Sequence, residues 1–583
     1  MRSPRSLLLF PGLLVFAACD KEVEPPPPPD ECAATLPEVA AACTESDCRA
    51  TTGTKAHSRA EVPAGDHLVI SWVSSELFDN ETINVGYEKS TSGGLTARLL
   101  RARPGIEERV SPAVYQQLFG AHRVAKIRAE AKIRQNGHQG PLDLSQVSGT
   151  GIVGRTNELL PKGVLKQSTA CSSAAPSCGA TALCVIPSGQ QDGTCESALT
   201  IKFRDQNAPS QFESVSATVR AVGDHGAIVT DDGDNVPEAA VMELSKRFEE
   251  HIAPIDHQVF GEPLDRQGRD RDGNGVVIIF LTTKVAGIDP NLAGFFQNLD
   301  LLDPAVPANA SSNGADLLYM QPPGNNVSLD QLSGTIGHEY QHLINYYAKV
   351  INRQSSQESV WLDEGLSTFA EDLLGYGSDS FKNVAAYLVA VPDTSLTGFG
   401  ILATNEQEAD SNARRGMAQL LVRFLYEQKG GADHPSASLL SDKGGVAAVK
   451  ALVQSPETGI ELFTAPKTGK AFGAWVADLL TLVAVDDANY PDVSCNPKYS
   501  LAAPATDAYT NYQRGLKLRT PITAGGETIP LNGPSLNSDL QAEEVPVPSN
   551  GGEIRTLKGP SKIGITGPAE DYQLGFRILA TGK

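Results

Sequence analysis

Two histidines four residues apart, with a glutamate directly after the first, constrain this chain more than any other feature: His338-Glu339-Tyr340-Gln341-His342. For the two rings to act together the stretch must be α-helical, because residues i and i+4 then lie one above the other on one face. Two imidazoles so placed can grip a single metal ion, and the glutamate beside them reaches a water on that metal. The surrounding residues predict a helix over 329–352. Ser328 with Gln331 makes a capping-box pattern. Asp330 puts a negative charge in the first turn, where the helix dipole favours it. Gly334 and Gly337 are the weak points, each costing about 1 kcal/mol in an exposed helix. Next to a metal site they permit close backbone packing instead.

A hydrolytic zinc site usually takes three protein ligands and keeps the fourth position for water. Glu364 falls 22 residues after His342, within Trp361-Leu362-Asp363-Glu364-Gly365-Leu366-Ser367. The polar stretch 353–357 can turn the chain back, Ser355 with Glu358 offers a second capping box, and Gly375 can close a second helix. Two antiparallel helices would then bring Glu364 over the histidine face. The expected zinc ligands are therefore His338, His342 and Glu364, with Glu339 as general base. Glu371, seven residues beyond Glu364, either orients a zinc-bound histidine or is an exposed glutamate. A donor to the tetrahedral oxyanion has three sources at this stage: Tyr387, Tyr426 and the Arg414-Arg415 pair.

The block from His338 to His342, followed by Trp361–Ser367 and Ala370-Glu371-Asp372-Leu373, resembles the hyicolysin-like neutral zinc metallopeptidases. These belong with the gluzincins, the thermolysin-like peptidases whose third ligand is a glutamate. The resemblance runs over roughly residues 215 to 480 and includes Val222-Gly223-Asp224-His225, Val259-Phe260-Gly261 and Ala293-Gly294-Phe295-Phe296. It implies a thermolysin-like catalytic domain, zinc as cofactor, and protein or peptide substrates cleaved at peptide bonds.

The chain has 583 residues, too many for one ordinary core. A few short strands leading into a helical block read as α+β. The expected organisation is an export segment (1–18), a Pro-rich tether (19–58), a mainly β N-terminal domain with a Cys-rich insertion (59–214), a metallopeptidase domain (215–488) and a small β C-terminal domain (489–583). The formal net charge of -21 gives no basic footprint for nucleic acid. Arg2 and Arg5 precede an apolar stretch too short to span a bilayer. That stretch ends in Phe16-Ala17-Ala18-Cys19, which resembles the lipobox of bacterial lipoproteins. Lipidation of Cys19 would make a lipid the membrane attachment, in the cell envelope. Cleavage after the small residues, releasing the protein, is the alternative. Nine cysteines leave an even number once Cys19 is set aside, as structural disulfides in an oxidising compartment require.

Asp270, Asp272 and Asn274, followed by Gly275, resemble the start of a calcium loop, but Leu281 stands where an EF-hand places its bidentate glutamate. A partial calcium site and a plain Asp/Gly turn both fit. Two functions remain in view: a zinc endopeptidase, and a surface lipoprotein that uses an inactive peptidase scaffold for adhesion or binding. Retention of both histidines and both glutamates favours the first.

Overall fold

The computed structural model describes residues 38–40, 56–75, 82–90, 99–100, 110–119, 129, 170–186, 192–206, 211–324, 326–398, 408–488, 490, 497–536, 540–567 and 572–581. The export segment, Cys19 and most of the tether lie outside the described residues.

Six strands build the sheet that carries the site. They are β1 Ala198–Arg204, β2 Phe212–Val222, β3 Gly226–Asp231, β4 Val277–Leu281, β5 Gly294–Phe296 and β6 Leu317–Met320. Their spatial order is β5-β6-β4-β3-β2-β1. The central strands β3, β4 and β6 run parallel, and the outer three pair antiparallel with their neighbours. A strand covered on both faces reads as a continuous apolar run. This is why 277–281 shows no alternation: Ile279 and Leu281 enter the main core, while Ile278 and Phe280 enter a second core on the opposite face.

The main core is walled by helices α1 Glu238–Arg247, α2 Ala253–Val259, α3 Leu329–Tyr346, α4 Val360–Leu373, α5 Ser378–Ala390 and α6 Glu408–Gln428. Helices and sheets together make the protein α+β, as expected. α3 starts where its cap dictates: the Ser328 side chain accepts the Gln331 N–H at 3.1 Å. The two α3 glycines lie where other residues would collide. A Cβ on Gly334 would come within 3.0 Å of Tyr376 Cβ, and one on Gly337 within 2.3 Å of Leu374 Cδ1. Gly375 follows α4 with φ +72°, the left-handed conformation that ends a helix.

The second capping box does not form. Ser359 is the residue before α4, without a side-chain cap, and Ser355 Oγ donates to the Lys349 carbonyl. Glu358 turns inward to the buried Lys349 ammonium at 3.0 Å and accepts the N–H groups of Ser359 and Gly459. Burial made the charge pair the stronger use of this glutamate, because a lysine with no exposed surface needs a partner.

A seven-stranded sheet interleaves the two ends of the chain. Ala56–Ser74 pairs antiparallel with both Gly551–Gly567 and Gln573–Ala580. Strands read as belonging to separate N- and C-terminal β regions thus share one sheet, while β1 and β2 join the helical unit. Leu68, Ile70 and Trp72 point to the main core, and Val69 and Val73 to a core of the sheet's own. The four clustered cysteines pair as Cys171–Cys184 and Cys178–Cys195. Among the described residues no helix is long and apolar enough to cross a membrane.

Candidate metal centre

Two neighbouring helices assemble the site. α3 carries His338, Glu339 and His342, and α4 carries Asp363, Glu364 and Glu371. The imidazole rings of His338 and His342 stand 4.9 Å apart, nearly perpendicular. His338 Nε2 lies 3.7 Å from Glu364 Oε2, and His342 Nε2 lies 3.7 Å from Glu364 Oε1. One ligand atom from each of these three residues falls within 4.8 Å of the others, and all three side chains are buried. Glu364 has no exposed surface at all.

Carboxylates behind the rings decide which nitrogens face forward. His338 Nδ1 bonds Glu371 Oε1 at 2.7 Å. His342 Nδ1 sits 3.0 Å from Asp363 Oδ2, and Asp363 is itself fixed by Asn345 Nδ2 at 2.6 Å. An ionised carboxylate only accepts, so His338 Nδ1 carries the proton and its Nε2 presents a lone pair, and the Asp363 charge close to His342 Nδ1 favours the same tautomer there. Two Nε2 lone pairs converging on a buried carboxylate suit a divalent metal of the zinc type, which favours imidazole and carboxylate donors. The residues present fit such an ion.

Glu339 stands beside this group with its Oε2 accepting the Phe296 N–H at 2.9 Å. Phe296 ends β5, the edge strand, so the sheet itself orients the expected general base. A cavity of about 410 Å³ opens here, lined among others by His338, Glu339, Glu371, Asn383 and Arg415. Of the three sources considered for an oxyanion donor, Arg415 lines this cavity. Tyr387 is fully buried in the helical core, Tyr426 packs edge-on against Phe369, and Arg414 Nη1 donates to the Gly398 carbonyl.

The residues read as a calcium loop divide. Asp270 and Asp272 come together with Asp316, their carboxylate oxygens within 4.8 Å of one another. Asn274 instead builds the turn, donating Nδ2 to Asp272 and accepting the Val276 N–H. Burial, then the charge of Asp270, pushes the Asp316 carboxyl up from its ordinary value.

Sequence reasoning passed over Asp363 and Asp316. Asp363 had a signal, its position directly before the expected third ligand. Asp316 had none, being more than forty residues from the Asp270 loop.

No family model matches the chain. Over 220 residues, covering 36% of this chain, it is 27% identical to the neutral metalloprotease ShpI of Staphylococcus hyicus. The chain spans under half the length of that relative, 46%. The likeness supports a metallopeptidase family in general. The His-His-Glu group is consistent with a bound metal ion.

Proposed function

We propose that this protein is a zinc-dependent endopeptidase, exported and held at a bacterial cell envelope through a lipid on Cys19. The observation that carries the reading is the convergence of two Nε2 atoms on buried Glu364, each ring backed by a carboxylate, beside Glu339. In this reading His338, His342 and Glu364 hold the metal. When bound, zinc polarises the substrate carbonyl and brings the pKa of its water toward about 7.

The chain's own residues do the rest. Glu339 takes the proton of the attacking water and passes it to the leaving amine. The Phe296 N–H bonded to Glu339 orients the carboxylate for that proton transfer. Glu371 holds the His338 ring in one tautomer through its hydrogen bond, and the Asp363 charge beside His342 favours the same tautomer there. β5 is an edge strand, and an extended peptide can add to such an edge by main-chain hydrogen bonds. A peptide lying along β5 would bring its scissile amide in front of Glu339.

The test is hydrolysis of casein by purified protein before and after chelation. Activity lost with the chelator and restored by zinc is expected. Activity indifferent to the chelator would sink the reading.

A further inference from the structure

Glu364 faces the two histidines almost symmetrically, one oxygen toward each Nε2 at 3.7 Å. A carboxylate so placed can hand both oxygens to one metal. Two oxygens, two imidazoles and a water would make a five-coordinate shell, crowding the position a hydrolytic site keeps open for water and substrate. Arg415 breaks the symmetry. Its Nε lies 3.0 Å from Glu364 Oε2, and both side chains are almost wholly buried.

We propose that Arg415 is a positioning residue that holds Glu364 by Oε2, so that Glu364 offers the metal one oxygen, Oε1. The inference rests on the zinc reading above. A guanidinium is always charged, planar and rigid, and a buried pair is little screened by salt. Oε2 therefore has its charge engaged from the side, and Oε1 is left as the stronger donor.

The fold fixes Arg415 by close helix contacts. α6 lies so near α4 that a Cβ on Gly365 would come 3.0 Å from the Ala418 backbone. On its other side, a Cβ on Gly416 would come 2.0 Å from the Asn383 carbonyl oxygen. Arg415 sits between these two contacts, on the cavity side with His338 and Glu339. A merely structural counter-ion would stabilise the buried carboxylate without affecting how it meets the metal.

The experiment replaces zinc with cobalt(II) in the full chain, in wild type, R415K and R415M, with metal content and circular dichroism recorded for each. Four-coordinate cobalt absorbs visible light several-fold more strongly than five- or six-coordinate cobalt. The wild type is expected to show the strong band. R415M is expected to bind one cobalt per chain with the band several-fold weaker, and R415K to fall between. kcat of the zinc forms should fall about 10- to 100-fold in R415M with KM little changed. An R415M spectrum equal to wild type overturns the inference while leaving the zinc reading standing. Wild type that binds neither cobalt nor zinc overturns both. Should R415M fail to fold, R415K decides: a weaker band supports the inference and an unchanged band overturns it.

Discussion

Glu371 Oε1 lies 2.7 Å from His338 Nδ1, so a residue on one helix sets the tautomer of an expected metal ligand on the other. Asp363 puts a second carboxylate beside the other ring, its Oδ2 3.0 Å from His342 Nδ1. Replacing either carboxylate by its amide keeps the shape and removes the charge. E371Q and D363N are each expected to weaken zinc binding about 10- to 100-fold. Titration against a chromophoric chelator measures this, and unchanged affinity in both would show that the carboxylates only pack.

Lys349 Nζ has no exposed surface and ties the end of the α3 segment to Glu358 at 3.0 Å and to the carbonyls of Leu452, Ser455 and Glu457. This clamp sets the return of the chain from His342 to Glu364. K349M leaves Glu358 buried beside no cation and is expected to cost about 3–5 kcal/mol. Urea unfolding monitored by circular dichroism gives the figure.

Gly416 has a backbone oxygen where a side chain would go. G416A is expected to push α6 away from α5 and to cost about 1–3 kcal/mol through overpacking. Because Arg415 is the next residue, the same change should lower activity more than stability alone explains. Comparing turnover at a temperature where the variant remains folded checks this.

His257 and Asp256 give stability opposite dependences on pH. Burial, then His225 and Lys450, holds His257 down at about 4 against an ordinary 6.5. As pH falls through that window the unfolded chain takes up the proton first, so stability is present above about 6.5 and lost toward about 4. H257Q should flatten this acid limb of a melting-temperature profile. Asp256 is completely buried, and neither carboxyl oxygen has a hydrogen-bond partner among the described residues. Burial raises its pKa well above 3.8, so stability falls as pH rises past that value. D256N is expected to melt higher than wild type at neutral pH, with the gap closing in acid.

Much of the site was legible because it is local. The helix of His338 and His342 announced itself through Ser328 and a four-residue spacing, and Glu364 and Glu371 through their shared face on the next helix. The fold class followed from short strands leading into helical periodicity. Relations across long separations were not legible. Arg415 reaches Glu364 from 51 residues away, and nothing local distinguishes it from Arg414, which turns to a backbone carbonyl. Alternation in 67–73 marks a strand, yet it carries no information that the partners are 551–567 and 573–580. The Ser355–Glu358 pattern misled because a cap signal cannot register that a buried lysine lies nearby.

The most direct test pairs metal content with peptidase rate for wild type and E339Q. Both are expected to carry one zinc per chain, with the E339Q rate lower by about 10²- to 10⁴-fold, the usual contribution of a positioned general base. E339Q cleaving as fast as wild type, or well-folded wild type that binds no zinc, would contradict the account.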